Sequence, residues 1–536
     1  MSDHSEPVRA DADPPKASAG GVVATWVRFV VITLVGVGQA PILFRWVPAT
    51  ELGVWYLLFA FATFISLSDL GLGHAFARAV SYRFGPARAS PGAPGPEGSA
   101  LYRDVTLPQL YVSVLSATAV FGIALAALSI PGAFFYFSRT VPPAEHAAIF
   151  GPVLVFLAGV VLNLVATVPG ACLSGSGEVT LDSVIRTAVT LLGFALTVLL
   201  VPAHPSLGVL CAIFALQGAV GFAVAHVVVA RRRVGSLRGV RPSLPLVRGL
   251  LHETGPLFVT RIGLWLTQES TLLVGASFMG PQRIADFGLL RQIVGIGAAV
   301  VGAIPLAVSP KVAAAHAAGD RESVRDLYLA ALRYAWIVNA LWAVGAFLWA
   351  GTLIELLVGA PHYLGAVVLA PLVLAMFLEL HAVTHAYFVW NVGTWPFARP
   401  TVTGGVLNVV LASTGASTFG FAGLAWGSLA AQAATLSWIQ VTYALRILGV
   451  SVREYARDIV APAALYAGAL GALATALHWT FRRWAPSAAN GGAPERAAWA
   501  LAAIAATALL AAALAWRLTL TPADRLYFRR LLRLRR

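Results

Sequence analysis

Long apolar blocks separated by short polar turns run through nearly the whole chain. Each block is about as long as the roughly 20 apolar residues that a helix needs to cross a bilayer. The period-two alternation of a membrane β-barrel is missing. The pattern predicts an all-α integral membrane protein. The expected spans are 22–44, 52–76, 107–130, 149–171, 184–201, 208–230, 256–278, 284–309, 328–350, 365–390, 401–417, 422–445, 458–480 and 497–516, about 14 transmembrane helices in all. No loop between them is long enough for a folded soluble domain, and GPARASPGAPGPEGS at 85–99 reads as a disordered connector. The apolar run after the first 20 residues is too long for a signal peptide and lacks a cleavage site, so the first span is expected to be an uncleaved anchor.

Composition agrees with this pattern. Only 11% of the 536 residues are charged, against roughly 25% in soluble proteins. The net charge of +14 sits mainly in loops, where it sets topology rather than attracting nucleic acid. One set of loops carries Arg83, Arg88 and Arg103, then Arg231, Arg232, Arg233, Arg238, Arg241 and Arg248. The same set carries Lys311, Arg321 and Arg325, then Arg399, Arg453 and Arg457. The facing loops carry little beyond Arg45, Arg139, Arg283, Arg482, Arg483 and Arg496. The positive-inside rule then places both termini in the cytoplasm of a multi-pass bacterial inner-membrane protein. Cys172 and Cys211 have no metal or disulfide spacing.

Charges inside the spans are the candidate chemistry. An ionisable side chain in hydrocarbon costs roughly 2.5–3.5 kcal/mol on insertion scales, so it faces protein or a hydrated cavity. Arg28 lies in the first span, Asp69, His74 and Arg78 in the second, and Arg261 and Glu269 in the seventh; Glu379 is near the middle of the tenth. Arg28, Arg78 and Arg261 either form a cationic cleft or snorkel to the interface. Asp69 either caps the glycine-rich break at Gly71 and Gly73 or carries a proton. Glu269 and Glu379 are expected to be coupling or cavity residues. Arg291 is expected to pair with Asp286, while Arg186 and Arg333 read as topology residues. His381 and His385 share a helical face and are expected to be hydrogen-bonded packing residues. No metal site is expected.

The chain also shows weak internal symmetry. Arg28, Trp55 and Arg78 recur as Arg261, Phe287 and Lys311 at similar spacing. Such repeats flank the substrate site in many transporters.

Glu51, Gly53 and Trp55, then Ser68, Asp69, Leu70, Gly71 and Gly73, then Arg78, form an ordered pattern. It resembles the N-terminus of bacterial O-antigen-type polysaccharide flippases of the multidrug/oligosaccharidyl-lipid/polysaccharide exporter superfamily. Asn408, Gly420, Gly423, Ala425 and Ser428 resemble a later span pair of that family, and LSGSGEV resembles one of its turns. The resemblance covers about residues 20 to 450. It implies two six-helix lobes around a central cleft plus two C-terminal helices. The corresponding division is a tail at 1–20, an N-terminal lobe at 21–233, a linker at 234–255, a C-terminal lobe at 256–447, appended spans at 448–516 and a basic tail at 517–536. The resemblance further implies a non-enzymatic flippase without a cofactor. Its substrate is a polyprenyl-diphosphate-linked oligosaccharide, whose diphosphate is held by Arg28, Arg261 and Arg78. Its partners are membrane lipids, polysaccharide polymerase and glycosyltransferases. The chain departs from the family at Gln268, Glu269 and Ser270, where many relatives have an aspartate. Two alternatives stay open: a drug/cation antiporter of the same superfamily, and a membrane glycosyltransferase or O-antigen ligase. The first prefers acidic cavity residues over basic ones, and the excess of intramembrane arginine argues against it. The second needs a large exoplasmic loop.

Overall fold

The structure is a computed structural model and describes residues 19–69, 72–84, 105–317, 319–391, 397–484, 493–522 and 524–525. The connector at 85–99 and most of both expected tails lie outside these residues.

The chain is all-α, with its helices divided between two compact units. The N-terminal unit comprises Met1–Ile42, Phe61–Ser138 and Pro142–Phe258. The C-terminal unit comprises Leu43–Ala60, Arg139–Val141 and Val259–Arg536.

In chain order the helices begin with α1 (Ala19–Trp46), α2 (Ala49–Ser66), α3 (Leu72–Phe84) and α4 (Leu107–Thr140). Then come α5 (His146–Val165), α6 (Thr167–Gly175), α7 (Val179–Leu200), α8 (Leu207–Val229) and α9 (Leu244–Gln268). They continue with α10 (Ser270–Met279), α11 (Pro281–Ala317), α12 (Arg321–Leu357) and α13 (Ala366–Asn391). The last are α14 (Ala398–Ala434), α15 (Leu436–Ile447), α16 (Ala461–Trp484) and α17 (Ala493–Leu518).

Twelve stretches among the described residues are long and apolar enough to span a membrane. Two physical causes separate this number from the fourteen spans expected. The α9–α10 stretch carries Arg248, Arg261 and Glu269 and is not among the twelve. The second cause is Ala398–Ile447, which is a single apolar stretch that folds back on itself at Gly420. That residue has φ +58°, a left-handed conformation that glycine adopts without steric cost. The two arms then touch through glycine backbone: a Cβ on Gly423 would lie 2.0 Å from the Gly415 carbonyl oxygen.

The N-terminal unit is held by an apolar core that includes Phe76, Tyr111, Val168, Leu173, Val229 and Leu250. Phe156 stacks on Phe214 at 4.7 Å, joining α5 to α8. In the C-terminal unit α16 and α17 pack on α12 around Ala340, Tyr466, Leu470, Ala511 and Ala515. Small residues there let the backbones approach closely, which is how helices associate without a hydrophobic driving force. Outward positions such as Leu34, Leu199, Phe419, Leu501 and Leu509 are exposed. For a multi-pass membrane chain this is the lipid-facing surface.

Candidate functional site

The polar centre of the C-terminal unit is built on two helix breaks. The first falls at Glu269, between α9 and α10. Hydroxyls prepare it: Thr267 donates to the Gly263 carbonyl at 3.0 Å, and Ser270 donates to the Leu266 carbonyl. Serine and threonine bonded back to the preceding turn bend a helix. Asn408 on α14 fixes the break from outside. Its buried side-chain amide donates to the carbonyls of Leu266 and Thr267, both at 3.1 Å. The second break is at Thr435, between α14 and α15 (φ −127°, ψ −94°).

A small cavity of about 20 Å³ lies between these breaks. Its polar lining is Thr267, Gln268, Glu379, Gln432, Ser437 and Gln440. Gln268 donates to the Glu379 carboxylate. No arginine or lysine pairs with Glu379 among the described residues. The Gln432 side-chain oxygen Oε1 is buried without a hydrogen-bond partner among the described residues. Beside this group, Arg291 reaches both oxygens of Glu269, each at 3.3 Å. One carboxylate is therefore neutralised by a guanidinium, and the other is held by an amide.

This pairing corrects one expectation. Arg291 does not pair with Asp286, because residues five apart on a helix diverge in direction, unlike those three or four apart. Asp286 instead bonds His362 at 2.8 Å and lies 3.9 Å from Arg283.

The other candidates are dispersed. Arg28 lies 3.6 Å from Asp182, and Arg186 holds the same aspartate at 2.9 Å, so neither is a solitary topology charge. Arg261 is an exposed residue of the C-terminal unit. Thus Arg28 and Arg261 belong to different units. The side chains of Arg78, His74 and Lys311 lie outside what the structure describes. Asp69 accepts the backbone N–H of Gly73, in the first turn of α3, at 3.0 Å. Arg333 pairs with Asp524 at 3.0 Å. His385 bonds Tyr328 at 2.5 Å, and His381 bonds Tyr455 at 2.9 Å. Among the described residues, no cluster of three or more His, Cys, Asp or Glu could hold a metal.

Sequence reasoning singled out Glu269 and Glu379 but missed Gln268, Gln432 and Gln440 as their companions. Glutamine in a span is the one signal available, and it is a polar group that is unfavourable in lipid.

No family model matches the chain, and no curated protein sequence matches it. Solved structures do. The chain is similar to a multidrug resistance MATE family transporter of the MOP superfamily in an inward-facing conformation. The TM-score is 0.64 at 16% identity, over 80% of this chain and 98% of that one. It is also similar to a MATE protein in complex with MaD3S, with TM-score 0.60 at 17% identity over 82% and 97%. A third similar structure is a MOP superfamily transporter from Pyrococcus furiosus whose binding pocket has reverse polarity. It gives TM-score 0.60 at 16% identity over 82% and 96%. The chain shares the all-α, polytopic architecture of these solved structures.

These matches overturn the flippase expectation. The structures that share this fold include MATE transporters in several conformations and complexes. The oligosaccharide substrate, the polymerase and glycosyltransferase partners and the role in surface polysaccharide synthesis fall with it.

Proposed function

We propose that this chain moves small solutes of the drug or cation kind across the inner membrane by alternating access. The observation that carries this reading is Glu379, a mid-span carboxylate that makes no ion pair of its own among the described residues and feels Arg291, paired to Glu269, only from a distance, in a cavity lined by amides and hydroxyls. A carboxylate so placed is costly unless it takes up a proton or a cation. That is a physical basis for coupling: with the charge filled, the break at Glu269 and the cavity wall meet a different electrostatic demand than with it empty. Glu269, compensated by Arg291, keeps a second carboxylate adjacent without adding net charge. The likeness to multidrug MATE structures supports the same reading. The loop arginines favour cytoplasmic termini.

Reconstitution tests it. Proteoliposomes are loaded with a fluorescent organic cation and given a proton or a sodium gradient. The proposal expects gradient-dependent dye movement above protein-free vesicles. Movement of neither cationic nor neutral dyes under either gradient overturns it.

A further inference from the structure

A second charged cluster lies wholly within the N-terminal unit, and the transport reading makes no use of it. Asp182 stands in the first turn of α7 and is 6% exposed. Arg186 bonds both of its oxygens through Nε, at 2.9 and 3.1 Å. Arg28 of α1 reaches the same carboxylate through Nη1 at 3.6 Å. Two guanidiniums thus share one carboxylate and leave one positive charge unbalanced. Donor capacity is left over as well, since each guanidinium presents five N–H groups and the Arg28 Nε has no hydrogen-bond partner among the described residues.

The cluster has a built wall. Gly170 of α6 faces it so closely that a Cβ there would lie 2.2 Å from Arg186 Nη2 and 2.6 Å from Asp182 Oδ1. The other side is open: the Arg28 and Arg186 side chains keep 22% and 38% of their surface exposed. The neighbouring turn repeats the charge ratio, with Arg233 and Arg232 both on Glu178.

We infer that Arg28, Asp182 and Arg186 form a binding site for the phosphate of an anionic phospholipid, which enters sideways from the bilayer. The planar guanidinium forks suit phosphate oxygens, and basic pockets between spans are a recognised way to hold such head groups. The lipid is a resident ligand and is not moved. The inference is independent of the transport reading.

The test uses the purified full chain in detergent, with bound lipid counted by native mass spectrometry. Phosphatidylglycerol and phosphatidylcholine are titrated separately. Wild type retains one phosphatidylglycerol that phosphatidylcholine does not displace. Arg28→Gln and Arg186→Gln each weaken its retention about tenfold, the effect of losing one charge-assisted bond. Arg28→Lys, which keeps the charge and the fold but loses the fork, loses part of it. Arg283→Gln, an exposed arginine of the other unit, changes nothing. Equal retention by wild type and both glutamine variants overturns the site. Equal retention of the two lipids overturns the anionic preference. Displacement of the lipid by millimolar inorganic phosphate, with equal protection, overturns the lipid as the source of the phosphate.

Discussion

Gln268 donates a hydrogen bond to the carboxylate of Glu379, one residue before Glu269 meets Arg291. Two adjacent residues at one helix break thus serve two acidic groups differently. One acidic group is held by an amide and the other by a full charge.

The Glu269–Arg291 pair is partly buried. Removing one member leaves the other charge uncompensated, at a cost of up to about 3 kcal/mol for a pair of this exposure. Arg291→Met is therefore expected to melt well below wild type, and Glu269→Gln/Arg291→Met together is expected to recover much of the loss. Thermal unfolding of the detergent-solubilised variants measures both.

Asn408→Ala removes the amide that holds the Leu266 and Thr267 carbonyls. The two carbonyls keep the Ser270 and Thr271 hydroxyls, so the loss is that of a hydrogen bond, about 0.5–1.5 kcal/mol. Because the same amide fixes the break, solute movement is expected to fall further than stability does. Comparing transport rate with melting temperature for Asn408→Ala and Asn408→Asp separates the two effects.

Gly420→Ala places a side chain at φ +58°, a cost of roughly 1–2 kcal/mol. Gly423→Val introduces a side chain whose Cβ would lie 2.0 Å from the Gly415 carbonyl oxygen of the other arm and is expected to be much worse, with little folded protein recovered. Yields on size-exclusion chromatography of the two variants check the order. Similar yields would mean that the arms do not meet at these glycines.

Asp524 closes the end of the last span. Burial alone raises its pKa, but hydrogen bonds from Thr521 and Tyr334 and the nearby Arg333 outweigh burial and hold the carboxyl below the usual range. The folded pKa lies below the unfolded one. The stabilisation is therefore complete above the unfolded value of about 4 and is lost as pH falls through the folded value. The melting-temperature gap between wild type and Asp524→Asn is expected to be largest near neutral pH and to shrink below pH 4.

Much of the fold was legible because spans are written in composition. The helical hairpin at Gly420 was visible as two apolar runs around a glycine-containing turn. The site was legible only in part. Glu269 and Glu379 stand out because a mid-span carboxylate has few structural uses. Asp182 did not, because it lies at a span end, where an acid looks like an ordinary interfacial residue. Its pairing with Arg28 is a contact 154 positions apart in sequence, which no local pattern reports. The arginines drew the reading towards one shared cleft for a glycolipid substrate because a sequence shows a charge but neither its counter-charge nor the unit it belongs to. Gln432 and Gln440 were missed because amides carry no charge to notice.

The most direct test is the Glu379→Gln variant in proteoliposomes, comparing gradient-driven accumulation of an organic cation with gradient-free exchange. If Glu379 is the coupling carboxylate, gradient-driven accumulation falls to the protein-free level while exchange of bound solute persists. Gradient-driven accumulation at the wild-type rate in Glu379→Gln would contradict the account.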